Sequence, residues 1–146
     1  MSIHESVPVA LRTVREGGTM SPSMTDQLLP LRGAVRHARN MVTEACSRWD
    51  LPDMVWPASL VADELVGNGV EHAGTIMTLH ISRRKHFLHL AVGDGSLDPP
   101  RLRLPVPLAA PHGRGLLLVD AVATHWGWLP AGYGKVVWAS LSVGTR

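Results

Sequence analysis

The sequence predicts an α+β domain of two layers, and three observations carry that expectation. Apolar residues recur at helical spacing over two consecutive segments in the first half of the chain. Two short strand-like runs joined by a polar connection follow them. After a proline-rich stretch, a glycine turn opens a third helix and a second turn leads into a final strand. The sum is helix, helix, hairpin, loop, helix, strand, which one helical layer on one sheet accommodates.

Residues 1–27 are the least readable. Val7 to Val14 reads as a strand or a short helix, and so short a run leaves both open. "EGGTMSPSMTD" is rich in Gly, Ser, Pro and Thr and reads as a loop. From Leu31 to Trp49, Leu31, Ala34, Val35, Ala38, Met41, Val42, Ala45 and Trp49 recur at steps of three and four, while Arg32, Arg36 and Arg39 fall elsewhere. "DLPD" ends this helix. A second helix follows, with Pro57 in its first turn, and runs to about His72. Ile76 to Ile81 and Phe87 to Val92 have strand character and are joined by "SRRKH". Residues 97–112 hold five prolines, too many for a helix or central strand. "GRGLLLVDAVATHWG" reads as a turn opening a helix, and "GYGKVVWASLSV" as a turn and a strand.

Composition narrows the function. The 146 residues are 45% hydrophobic, enough for one domain with a real core. No apolar run approaches the roughly 20 residues that span a bilayer, so no membrane association is expected. The start lacks a basic segment followed by an apolar one, so no secretory signal is expected. A lone cysteine, Cys46, fits a reducing cytoplasm and reads as a small buried residue of the first helix. The formal charge is +2, the arginines are dispersed, and one Phe and one Tyr leave little to stack on bases, so direct nucleic-acid binding is not expected. The eight histidines show no metal-ligand spacing.

Three local features carry chemistry. On a wheel of about 100° per residue, Glu64, Asn68, Glu71 and His72 share an arc of about 100°, with Ala62, Val66, Val70 and Ala73 opposite. That face is either a solvated helix surface or the wall of a pocket. Gly67 and Gly69 beside Asn68 favour the wall, because small residues admit a ligand or another backbone. In "VGDGS", Asp94 is a turn former or a buried acceptor. In "HGRGLLLV", two glycines precede a helix whose first-turn N–H groups suit an anion. Trp126, Trp128 and Trp138 read as core or dimer contacts, and Lys135 as a turn charge or, less favoured, a phosphate neighbour.

In order, these features form a helix with E-x3-N-x3-H, a strand ending in D-G, a proline-rich loop, and G-x-G-L at a helix start. Carried by "AVRHARNMV", "SLVADELVGNGVEHA", "AVGDGS", "HGRGLLLVDAVATHWGW" and "GKVVWASL", this order resembles the GHKL (Bergerat-fold) ATP-binding superfamily. Within it, the chain is similar to the small single-domain anti-sigma factor and serine-protein kinase branch, over roughly Leu31 to Leu141. The resemblance implies a mixed, mostly antiparallel sheet covered on one face by about three helices, in a domain spanning 28–146 with an ATP lid at about 96–112. It implies that Glu64 is the general base and that Asn68 ligates a Mg²⁺ bridging the ATP phosphates. Asp94 would accept a hydrogen bond from the adenine amino group. Gly113, Arg114, Gly115 and Leu116 would bring backbone amides to the phosphates, and His72 would stand at the pocket mouth.

The implied function is ATP-dependent phosphorylation of an antagonist protein on serine, in a partner switch that also involves a sigma factor. The implied partners are a sigma factor, an anti-anti-sigma protein, and a second copy in a homodimer. The physical logic is consistent: a carboxylate one turn from a Mg²⁺ ligand can orient a serine hydroxyl. There are three departures, and those at Ser96 and Val136 support an alternative, a catalytically inactive interaction module of the same fold with weak or no ATP binding. Ser96 replaces the second family glycine of D-x-G-x-G. Gly69 stands where alanine is usual. Val136 is expected at the position of the family threonine that reaches adenine through water.

Overall fold

A computed structural model describes residues 10–16, 19–100 and 115–144. The chain opens with β1 (Ala10–Glu16) and β2 (Thr19–Leu28), paired antiparallel. This corrects the reading of "EGGTMSPSMTD" as a loop. Its composition is turn-like, but neighbouring strands supply the ladder that propensity alone does not. Pro22 opposes Thr13 of β1, at a point where β2 has not yet begun to pair on its other side. A residue without an N–H is tolerated where one ladder is missing.

Helix α1 (Gly33–Arg48) buries Ala34, Ala38, Met41, Val42 and Ala45 of the stripe expected from spacing, with Val35 partly buried, and buries Cys46 beside them. Leu31 lies before the helix and is exposed. Burial pushes the Cys46 thiol up to about 11. Asp50 takes a left-handed φ of 55° after the helix, and Pro52–Met54 forms a short 3-10 turn. Helix α2 (Val55–Asn68) follows and passes directly into a π-helical turn, Gly69–Ala73. Gly74, at φ 64°, stops it.

Strands β3 (Met77–Arg84) and β4 (Phe87–Asp94) form a hairpin tighter than the sequence suggests, with Lys85 at φ 51° in a two-residue turn. Helix α3 (Gly115–Val122) then leads to β5 (His125–Ala131) and β6 (Gly134–Ser142). The first residues of β5, His125 to Gly127, fall within the segment read from the sequence as a turn and helix.

The six strands lie in the order β1-β2-β3-β4-β6-β5, and every pairing among the described residues is antiparallel. The expected mixed sheet is corrected on this point. Three hairpins account for three of the five pairings, and β2–β3 and β4–β6 supply the two joins between them. The helices cover one face. Met24, Leu28, Leu79, Ile81, Leu88, Leu90, Ala139 and Leu141 point into that layer and are buried against α1 and α2. Each large apolar side chain so buried contributes roughly 1.5–3 kcal/mol.

Polar ties fix the layers. His37 Nε2 of α1 lies 2.9 Å from Asp26 Oδ2 of β2. Arg39 of α1 donates to Asp63 of α2 at 2.8 Å, and Arg83 of β3 donates to the Trp49 carbonyl at the end of α1 at 2.9 Å. On the other face of the sheet, Phe87, Ala91, Leu129, Val136 and Trp138 line an open groove. There the Trp138 ring stacks on His89, with centroids 5.8 Å apart. Trp126 instead packs against the core, and its Nε1 donates to Asp120 of α3 at 2.9 Å. Trp128, on the edge strand β5, is partly exposed.

Candidate functional site

The site forms where the end of α2 meets the ends of β4 and β6. Ala58, Val61, Ala62, Leu65 and Val66 turn the core face of α2 inward, so the apolar arc is wider than Ala62, Val66, Val70 and Ala73. Asn68 sits at the border of that arc and is half-buried. It lines a small cavity with Leu65, Gly69, Val92, Asp94, Pro100, Lys135 and Val137. The structure therefore brings together two residues far apart in sequence, Asn68 and Asp94.

Glu64 lies one turn before Asn68, half-buried, and is not among the cavity-lining residues. His72 is not among them either. Beyond Asn68 the helix widens to π geometry, so the 100° wheel no longer applies. His72 Nε2 lies 3.7 Å from a Glu71 carboxylate oxygen, and this pair belongs to the turn rather than to the cavity lining.

The two glycines around Asn68 separate on inspection. A methyl group on Gly69 would overlap the Met77 sulfur, whereas one on Gly67 meets nothing within 4 Å. Close approach at Gly69 is thus real, but the approaching group is a core side chain of β3, not a ligand or a backbone. Gly67 has no such contact, which removes the reason expected for it.

Asp94 combines both readings left open by the sequence. It is 6% exposed, and its Oδ1 accepts the Ser96 N–H at 2.9 Å. The neighbouring Gly95 N–H donates to Thr75 Oγ1 at 2.7 Å, which anchors the strand end. The decisive contact is Lys135. Its ammonium donates to Asp94 at 3.1 Å, within reach of both carboxylate oxygens. Lys135 is itself 6% exposed, so the reading of a turn charge is corrected. Two buried opposite charges hold each other, and removing either leaves an uncompensated charge at a cost of about 3–5 kcal/mol.

Strand register explains the pair. Asp94 lies directly opposite Lys135 across the β4–β6 ladder, so the two side chains leave the same face. Gly134 permits this approach: a Cβ there would overlap the Asp94 carbonyl oxygen. Val136, one residue on, points to the opposite face and lines the outer groove. The residue of β6 that stands beside Asp94 is Lys135, and the expectation placed on Val136 is corrected. The sequence hid this because β6 is apolar on both faces: Val136 and Trp138 alternate with Val137 and Ala139, so no period-two signal tells inside from outside.

At the other end, α3 begins at Gly115 and continues through Leu116, and the helix packs against α2. Gly113 and Arg114 lie outside the described residues, as do residues 101–112 of the expected lid. In comparisons with known proteins, no family model matches the chain and no curated protein matches it.

The described residues fit a bound nucleotide only in part. Asn68 offers an amide at the helix side, suited to a Mg²⁺ that takes few protein ligands. The base side does not fit. The cavity measures about 10 Å³, room for about one water molecule, and Asp94 already holds an ammonium ion.

Proposed function

We propose that the chain is an ATP-binding regulatory protein of the anti-sigma, serine-protein kinase type, with a Bergerat-type fold. The observation that carries this reading is the convergence of Asn68 and Asp94 on one cavity between α2 and the sheet. Helix α3 packed beside α2 supports it. In this reading Asn68 holds the magnesium of Mg·ATP, and Gly113 to Leu116 give backbone amides to the phosphates. Glu64 orients the serine hydroxyl of an antagonist protein and accepts its proton. Bound nucleotide supplies the phosphoryl group. The site's partners are an anti-anti-sigma protein and a sigma factor, in a cytoplasmic partner switch, with the protein itself a homodimer.

The test is incubation of the protein with labelled ATP and candidate antagonist proteins. Label is expected on serine, and Glu64→Ala is expected to lower its rate by about 10²-fold or more. No labelled serine in any antagonist, with Glu64→Ala indistinguishable from wild type, sinks the kinase reading.

The Lys135–Asp94 pair favours a second reading, an interaction module without catalysis. It expects Mg·ATP to bind weakly or not at all while the protein partners still bind. A low-micromolar dissociation constant in a calorimetric titration would count against it.

A further inference from the structure

We propose that Lys135 is the residue that decides whether the pocket takes a base: its side chain fills the base end and holds Asp94, so a nucleotide enters only when that ammonium leaves. The inference rests on the nucleotide-pocket reading above and goes beyond it by naming the group that controls admission.

Three observations converge on Lys135. First, it lines the cavity from the sheet side, opposite the Leu65 to Gly69 wall of α2. With the lysine in place, about 10 Å³ remains, against the roughly 300–1,000 Å³ typical of small-molecule sites. Second, Asp94 is committed. One oxygen accepts the Ser96 N–H, and both oxygens lie within reach of Lys135 Nζ. A buried carboxylate so engaged offers little to an incoming amino group, and the cation removes the negative charge that would select for one. Third, the block is a side chain and not a backbone. Gly134 and the Asp94–Lys135 register fix the strand, but the lysine stem has four rotatable carbons and can swing as a unit. Emptying the site needs a rotamer change and the parting of one ion pair, with the ladder intact.

The same geometry makes the block replaceable. A short side chain at position 135 leaves the register unchanged and frees both the volume and the Asp94 oxygens. Lys135→Thr does this with a residue that strands favour. Lys135→Met keeps the stem length and most of the packing but cannot hold Asp94, so its side chain vacates without parting an ion pair.

The experiment is calorimetric titration of wild type, Lys135→Thr and Lys135→Met with Mg·ATP, after circular dichroism confirms that each is folded. Lys135→Thr is expected to bind at least 10-fold more tightly than wild type, and Lys135→Met at least about 3-fold. Wild type that binds, with no gain in either variant, overturns the role of Lys135 and leaves the pocket reading standing. No binding by any of the three folded proteins overturns both. If Lys135→Thr does not fold, Lys135→Met decides: a gain supports the proposal, and none defeats it.

Discussion

At the scale of single residues, the glycines around Asn68 show what spacing conveys and what it omits. Their presence in a helix is visible in the sequence, but their reasons differ and only packing separates them. Gly67 faces open space, so Gly67→Ala is expected to stabilise the fold by about 0.5–1 kcal/mol, through helix propensity and a less flexible unfolded chain. Gly69 abuts Met77, which is fully buried. Gly69→Ala must push that side chain into a packed core and is expected to destabilise by about 1–3 kcal/mol. Urea denaturation of the two variants checks the pair, and midpoints moving in the same direction would contradict this account. Asn68 and Asp94, which line one cavity, stood out in the sequence because a polar residue on an otherwise apolar helix edge, and an aspartate at a strand end, are local signals. The partner of Asp94 was not, because a cross-strand neighbour depends on register, and register is a tertiary property.

At the scale of elements, strong periodicity proved readable and composition misled. Helix α1 follows its apolar stripe from Ala34 to Cys46. Strand β2 contradicts its own Ser- and Pro-rich start, since pairing with β1, joined from Ser23 onward by pairing with β3, overrides weak propensity. Strand β5 is short and directly follows α3, so "THWGWLPA" gave no separate signal, and only its pairing with β6 identifies it. The π turn after Asn68 was invisible to a wheel that assumes one fixed angle, and it accounts for the displacement of His72 from the cavity lining. The β5–β6 hairpin depends on one position above others. At Gly134 any side chain meets the Asp94 carbonyl and the Gly95 Cα, both backbone atoms that cannot rotate aside. Gly134→Ala is expected to cost about 3 kcal/mol or more, read as a lowered melting temperature. A wild-type melting curve would show that the strand ends are looser than their geometry implies.

At the scale of the whole molecule, the α+β class and the helices on one face were expected, and the strand order was not. The order decides where the sheet is firmest. Strands β3, β4 and β6 each have two neighbours and bury Leu79, Ile81, Leu88, Leu90, Ala139 and Leu141, whereas β1 and β5 have one neighbour each. Hydrogen exchange is therefore expected to be slowest in β3, β4 and β6 and fastest in β1 and β5. Comparable protection in β5 and β6 would argue that something covers the β5 edge in solution. The placement of β6 also bears on how the chain is made. Among the described residues, β5 has no neighbour but β6, and β4 lacks its second neighbour until β6 docks. During synthesis, then, two raw strand edges stand open until Gly134–Ser142 has left the ribosome, and open edges are what invite pairing between nascent chains.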